Sequence, residues 1–248
     1  LPTKTTEEQA AINLLTGWNF VIDKDSAAPT VFMAWAEAFR DATFGDEFGS
    51  AGIPLSGDQG RMPSFAVLES LVRTNSSSHW FDNISTTTKV ETMNDTIQAA
   101  FDQAMSALGT YFGNTNVATW TWGNVNQVYF EHLTGFSAFS EGPYPANGTD
   151  ETITPAWGSI WQDGKVVQNI ATGGSSEREI LDFSDLNNSL SVIPSGERGV
   201  SSSRHYDDQL QMFLNGQYHV SYFSANTPAK FLASWVESSI LFKPAGGA

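Results

Sequence analysis

The chain has 248 residues, with 27 acidic and 12 basic side chains, a formal net charge of −15 and no cysteine. This charge argues against a nucleic-acid binder, and the missing cysteine excludes disulfides, cysteine-ligated zinc and a cysteine nucleophile. With 40% hydrophobic residues the chain can form a sizeable core, but no apolar run reaches the ~18–20 residues of a membrane span.

The first part of the chain has helical patterns. Thr5 and Glu8 have the spacing of a capping box, and Ser26 is a candidate cap for a second helix. The glycine-rich residues 45–60 predict a loop after that helix. The clearest amphipathic stripe predicts a helix from about 88 to 108. Residues 1–112 are therefore predicted to form a mainly helical part.

The pattern changes near Tyr111, so residues 113–248 are predicted to form a strand-rich part. Asp163 and Gly164 are typical of a hairpin turn. A helix is expected at about 204–215, with Asp207 and Asp208 in its first turns. Helices followed by antiparallel strands give an α+β fold class. Runs rich in β-branched and aromatic residues predict strands at 117–122, 125–130, 157–162, 165–171, 179–183 and 189–193.

Few residues suggest chemistry by themselves. The chain's histidines are His79, His132, His205 and His219, and no two of them have metal-ligand spacing. A Ser-His-Asp triad assembles from distant positions and stays open, although no Gly-x-Ser-x-Gly elbow occurs. Asp207 and Asp208 beside His205 are a candidate catalytic cluster, but the interpretation as carboxylates at a helix start is favoured.

Two further features have a functional and a structural interpretation. Residues 45–60 are a candidate ligand loop, but they contain no lysine and no phosphate-binding pattern. Four tryptophans are candidates for stacking on sugars, although packing in a core or interface is favoured for them: Trp120, Trp122, Trp157 and Trp161.

Surface composition points to a protein outside the cytoplasm. Only 16% of the residues are charged, and five Asn-x-Ser/Thr sequons occur. Such sequons are acceptors for N-linked glycans in exported proteins. We therefore expect an extracellular, periplasmic or cell-surface location. The sequon asparagines are Asn75, Asn83, Asn94, Asn147 and Asn187.

A succession of short motifs extends this interpretation. Gly-Ser-Ser-Glu-Arg at 174–178, Pro-Ser-Gly-Glu-Arg-Gly at 194–199 and His-Tyr-Asp-Asp-Gln at 205–209 follow one another. Together with Trp-Thr-Trp-Gly at 120–123 and Leu-Leu-Thr-Gly-Trp-Asn at 14–19, they resemble the C-terminal part of the large chain of penicillin amidase family acylases. Glu197 and Arg198 stand where that family usually has Gln-Ser.

The resemblance implies an N-terminal nucleophile hydrolase with a four-layer αββα fold. In that family a serine at the start of the large chain attacks a non-peptide amide, and its own α-amine is the base. Leu1 has no nucleophilic atom. No catalytic, cofactor-binding or metal-ligating residue is therefore assigned to this chain. We expect the nucleophile on another chain of the same processed precursor, and a small acyl amide as substrate.

The same resemblance implies that the complete protein is a candidate calcium binder, since family members often hold that ion, but no ligand is matched to a residue here. An alternative function is a non-catalytic acylase-fold subunit of a cell-envelope or surface assembly, because fold does not fix function. A free-standing carbohydrate-binding module that uses the tryptophans is a third interpretation.

Overall fold

The computed structural model describes residues 4–54, 62–222 and 240–243. The chain forms two compact units, unit 1 (Leu1–Ser175) and unit 2 (Ser176–Ala248). In the described residues the helices are α1 (Thr6–Thr16), α2 (Ala28–Ser50), α3 (Phe65–Thr74), α4 (Met93–Phe112) and α5 (Leu210–Leu214). The strands are β1 (Asn126–Phe130), β2 (Glu141–Pro145), β3 (Trp161–Gln162), β4 (Lys165–Val166), β5 (Asn169–Ala171), β6 (Arg178–Ile180), β7 (Leu190–Val192) and β8 (His219–Val220). The fold class is α+β, as the sequence predicts.

Two helices begin with capping boxes. At α1, the Glu8 amide donates to Thr5 Oγ1 over 3.1 Å, and the Thr5 amide donates to Glu8 Oε2 over 2.9 Å, which confirms the predicted cap. Helix α4 begins at Met93 and not near residue 88, because Thr92 and Asp95 form a second box there. None of the described helices has the length and apolar character to cross a membrane.

Helix α2 continues through part of the predicted glycine loop. Gly45 and Gly49 are helical, so the loop prediction is wrong up to Ser50, and residues 55–60 lie outside the described residues. A helical glycine costs about 1 kcal/mol relative to alanine. The packing of Phe44 and Phe48 against Trp80, with ring centroids 5.5 and 6.2 Å apart, offsets that cost.

The core of unit 1 combines helices with the strand-rich segment that follows them. Helices α2 and α4 pack against each other, and Trp120, Trp122 and Trp161 bury their rings in the same cluster. The change of pattern near residue 112 is therefore a change of secondary structure within unit 1. Residues 117–122 lie mainly in short 3-10 turns and not in the predicted strand.

The sheet of unit 1 has the order β2-β1-β5, with β1 antiparallel to β2 and parallel to β5. Asn126 on β1 is fully buried and faces Asn169 on β5. Asn169 Nδ2 donates to Asn126 Oδ1 over 2.8 Å, and Asn126 Nδ2 donates to the Ala146 carbonyl over 3.2 Å. We call these two side chains the asparagine pair. It satisfies polar groups in an otherwise apolar layer.

A hairpin joins β3 and β4 in unit 1. Asp163 and Gly164 form its turn with φ values of 48° and 74°, which confirms the hairpin that the sequence predicts. Two positive φ values are typical of the type I′ turn that matches the twist of paired strands.

Unit 2 contains the antiparallel sheet β6-β7-β8 and the short helix α5. The helix predicted at 204–215 is wrong in its first half, since residues 201–209 form turns. The carbonyls of His205 and Tyr206 accept from the Arg198 amide and from Ser195 Oγ, respectively. They are therefore held by another segment, which competes with an intrahelical ladder.

Candidate functional site

The segment that carries the His-Tyr-Asp-Asp-Gln motif is held by its own polar side chains. His205 Nδ1 lies 2.6 Å from Asp208 Oδ2, and Arg204 Nε donates to His205 Nε2 over 3.0 Å. Both ring nitrogens of His205 are therefore engaged. A general base needs a free lone pair that reaches the substrate, so this geometry favours a structural role for His205. Asp207 and Asp208 precede helix α5 and do not lie inside it.

Gln209 connects three segments of unit 2. Its side chain is 8% exposed, and its Oε1 accepts from the Ile193 amide over 3.1 Å and lies 3.1 Å from His219 Nε2. Its own amide donates to the Ser195 carbonyl over 2.9 Å. Since an amide oxygen only accepts, His219 carries a proton on Nε2 in this arrangement. We call these contacts the Gln209 hub.

Gly196 allows the turn at 194–199 to pack closely against the backbone of His205 and Tyr206. A side chain at this position would collide with the carbonyl oxygens of His205 and Tyr206. Arg178 supports the same unit from β6, because its Nη1 donates to the Phe213 carbonyl over 2.8 Å. Its guanidinium also stacks 3.7 Å from the centroid of the Phe213 ring. The motif residues thus build a braced turn, which is the geometry of a support and not of a reaction centre.

The remaining histidines lie in unit 1. His132 Nδ1 accepts from the Thr134 amide over 3.2 Å, in the turn after β1. His79 stacks beside Trp80, with ring centroids 5.2 Å apart. The contacts described for each histidine side chain join it to residues near it in sequence or on a neighbouring segment, as expected for structural histidines.

The tryptophans divide in the same way. Trp120, Trp122 and Trp161 are buried, while Trp157 is 56% exposed. The first three belong to the core of unit 1, which agrees with the packing interpretation. Trp157 alone among these four presents a ring to solvent, and it rests against Gly173, where a side chain would collide with it.

A buried carboxylate on α2 escaped the sequence interpretation. Glu37 is 6% exposed, accepts from Ser159 Oγ over 3.1 Å and pairs with Arg40. Burial raises the pKa of Glu37, and the Arg40 charge only partly opposes this. One turn later, burial also raises the pKa of Asp41, which accepts from Trp161 Nε1 over 3.5 Å.

These carboxylates connect α2 to the segment around β3, so their geometry is that of a structural tie. The signal in the sequence was a glutamate on the apolar face of α2, between Ala34 and Ala38, with an arginine three residues later. A single sequence with no structure does not show which partner such a glutamate finds.

No metal-ligand set is evident in the part of the chain that the structure describes. Among residues 4–54, 62–222 and 240–243, no group of three or more His, Asp or Glu side chains is placed to hold an ion. The calcium that the resemblance implies stays a prediction for the complete protein.

Comparison with known proteins defines the class. Residues 1–230 match a family of hydrolases. It is the penicillin amidase family, and the chain belongs to it. The resemblance to the penicillin amidase family is therefore confirmed.

One solved structure that resembles the chain is the thermostable penicillin G acylase from Alcaligenes faecalis, with 16% sequence identity and a TM-score of 0.48. The similarity covers 100% of this chain and 44% of the acylase chain, so this chain spans less than half the length of that protein. A search of curated proteins returns no significant match.

Proposed function

We propose that this chain is the C-terminal part of an acylase that cleaves a non-peptide amide through an acyl-enzyme. The nucleophile is an N-terminal serine carried by another chain of the same precursor. Membership of the penicillin amidase family is the observation that supports this proposal. The chain supplies helices, strands and the braced turn of unit 2, and the partner supplies the reacting groups. Together they complete the four-layer αββα fold.

The chemistry follows from the pKa of an α-amine. This pKa is about 7.7–8.0 in its unperturbed state, so the amine accepts a proton near neutral pH without a histidine. The serine Oγ attacks the amide carbon, its proton passes to the amine, and the leaving amine is protonated as the C–N bond breaks. Water then hydrolyses the ester. Fixed donors stabilise the oxyanion in both steps.

Exposed apolar side chains support the proposal that a partner chain covers part of this surface. Large ones are concentrated after residue 130, and several surround the sheet β6-β7-β8, in which β6 and β8 are the edge strands of the described part. Exposed apolar patches and open strand edges are typical of surfaces that another segment covers. In the described part of unit 2 the large exposed apolar side chains are Ile180, Leu181, Phe183, Val200, Val220, Tyr222, Ile240, Leu241 and Phe242.

The purified native particle tests the proposal. We expect intact-mass analysis and N-terminal sequencing to reveal a partner chain that begins with serine. A serine-directed sulfonyl fluoride should label that residue and abolish amide hydrolysis. A partner with a blocked or non-nucleophilic first residue would defeat the enzymatic proposal and favour the envelope-subunit alternative.

The isolated chain provides a complementary test. Without the partner serine it should show no turnover of phenylacetyl or long-acyl amides above a blank. Its exposed strands and apolar side chains should also make it poorly soluble. Hydrolysis by the pure 248-residue chain would show that it carries a nucleophile of its own.

We also propose that the protein acts outside the cytoplasm. Asn75, Asn83 and Asn94 are exposed, which suits glycan attachment. Asn147 is half-buried, and its Oδ1 accepts from the Lys24 amide over 2.8 Å. Mass mapping after glycosidase treatment of protein from a eukaryotic secretion host should find glycans at exposed sequons and none at Asn147. A glycan at Asn147 would contradict the described packing.

A further inference from the structure

The last turn of α2 carries two adjacent carboxyl groups, Asp46 and Glu47. Asp46 Oδ1 and both Glu47 carboxylate oxygens are buried atoms that receive no hydrogen bond. The two residues are adjacent in the chain, and after burial the Asp46 carboxyl is the next largest cause that raises the pKa of Glu47. Buried carboxylate oxygens without donors are costly, because ionisation then has nothing to replace its hydration.

These residues contact a loop that we call the acidic loop, residues 82–91. The Ile84 amide donates to Asp46 Oδ2 over 2.7 Å, which fastens the loop to α2. Inside the loop, the Glu91 amide donates to Asp82 Oδ1 over 2.9 Å, and the Asn83 amide donates to a Glu91 carboxylate oxygen over 3.1 Å. The bond to Ile84 thus joins the end of α2 to a segment 38 positions further along the chain.

The charges around this contact are mainly negative. Asp82 adds to the repulsion on Glu47, and the C-terminal end of α2 has a partial negative charge of its own. The nearby cations have other partners: Arg73 on α3 pairs with Glu69 over 2.7 Å, and Lys89 pairs with Asp95 over 2.7 Å. The other titratable groups of the adjoining elements are His79, which stacks beside Trp80, and Glu91.

Protonation of one carboxyl removes the conflict. Burial, followed by the contact with Asp46, raises the pKa of Glu47 to about 7. Because the neutral acid is the favoured form in the fastened state, the contact is strongest below the ordinary pKa of glutamate. It weakens as the pH rises through about 7.

We propose that the Asp46–Glu47 pair is a proton-dependent fastening between α2 and the acidic loop, which holds the loop when the pair carries one proton and releases it when both groups ionise. Release separates like charges and lets water solvate both carboxylates. The segment that moves is the acidic loop, while α4 and the core of unit 1 stay in place.

Hydrogen exchange of the assembled protein, followed by mass spectrometry of peptides from residues 82–92, tests this proposal. After correction for intrinsic exchange, the protection of these peptides should fall about tenfold between about pH 5.5 and about pH 8. Peptides from α4 serve as the internal reference, since their protection should change less.

Variants distinguish protonation of the Asp46–Glu47 pair from other effects of pH on hydrogen exchange. In Glu47→Gln the side chain stays neutral and donates to Asp46, so protection should remain high at both pH values. Asp46→Asn removes the other charge and should give the same result, which covers the case in which the first variant folds poorly. Glu151→Gln, an equal change of charge at an exposed position of unit 1 outside the acidic loop, should keep the wild-type pH dependence.

Equal protection of the wild-type loop at both pH values would overturn the proposal. A full pH dependence in folded Glu47→Gln or Asp46→Asn would overturn it as well.

Discussion

Unit 1 and unit 2 are stabilised in different ways. Unit 1 buries large side chains such as Trp120, Phe81 and Leu108 in one cluster, to which both helices and strands contribute residues. In the described part of unit 2, the large buried apolar side chains are Val192, Leu210 and Phe213, and its strands have two or three residues. Unit 1 supplies its own apolar core, whereas unit 2 depends on polar contacts and leaves apolar side chains uncovered.

This difference agrees with the proposal that a partner chain completes the protein. Burial of apolar surface is the dominant stabilising effect in folding, so a unit with little of it gains stability when a partner covers its surface. The Gln209 hub and the Arg178 stack hold α5 and the strands of unit 2 together. The comparison predicts large effects for substitutions in the core of unit 1, and smaller, local effects for polar substitutions in unit 2.

The largest effect should come from Phe81→Ala. Phe81 is 1% exposed and stacks on Phe39 with ring centroids 6.1 Å apart. Its removal should lower the free energy of unfolding by about 3–5 kcal/mol, measured from urea transitions. The matched control is Phe183→Ala in unit 2, where the ring is 86% exposed and the change should stay within about 0.5 kcal/mol. Both variants are compared in the fraction of the isolated chain that stays soluble. Equal losses would break the comparison.

Gln209→Ala should have the next largest effect. It leaves the Ile193 amide without its acceptor, so the free energy of local opening should fall by about 1–3 kcal/mol. Hydrogen exchange at the Ile193 amide measures this directly. Gln211→Ala, which changes an exposed glutamine inside α5, is the control and should leave that amide protected. Similar exchange in both variants would show that the hub contributes little.

His205→Ala should cost less. The His205 and Asp208 side chains are 33% and 38% exposed, so the loss of the hydrogen bond between them should cost about 0.5–1.5 kcal/mol. The turnover of each folded molecule should be unchanged in the assembled enzyme. A thousandfold loss of turnover with an unchanged melting temperature would identify His205 as a catalytic base and reverse the structural interpretation. Asp208→Asn is the companion variant that keeps the shape of the pair.

The smallest effect lies on the surface of unit 1. Phe20 is 80% exposed and has φ of 63°, a left-handed conformation that is unfavourable for a residue with a Cβ. Phe20→Ala removes the contact with Trp18, whose ring centroid lies 5.4 Å away, and keeps the strain. Phe20→Gly removes both, so it should be more stable than the alanine variant by about 1 kcal/mol. Equal melting temperatures for the two variants would refute the strain.

Local signals in the sequence identified much of the fold. The Thr5–Glu8 capping box and the Asp163-Gly164 turn depend on neighbours within a few residues, and both are confirmed. The loop predicted from the glycines of α2 was wrong, because the packing of Phe44 and Phe48 outweighs the low helix propensity of glycine. The start of the predicted helix at 204 failed because Ser195, distant in sequence, binds the Tyr206 carbonyl.

Contacts between residues distant in sequence also limited the prediction of the candidate site. The motif at 205–209 identified the family, which the comparison over residues 1–230 confirms. It did not reveal the Gln209 hub, because the acceptor role of that side chain depends on Ile193 and His219 meeting it in space. The role of Glu37 also depends on a contact with Ser159, 122 positions away, that no local pattern records.

The asparagine pair has a consequence for how the sheet of unit 1 assembles. Strands β1 and β5 are parallel, and β2, β3 and β4 lie between them in the chain, so their pairing has to close a long loop. A shift by one residue would turn Asn126 away from Asn169 and leave buried amides unsatisfied. The asparagine pair therefore makes a misaligned pairing of β1 and β5 less stable than the correct one. Replacing both residues by leucine should keep much of the stability while increasing the yield of misfolded, aggregated chain.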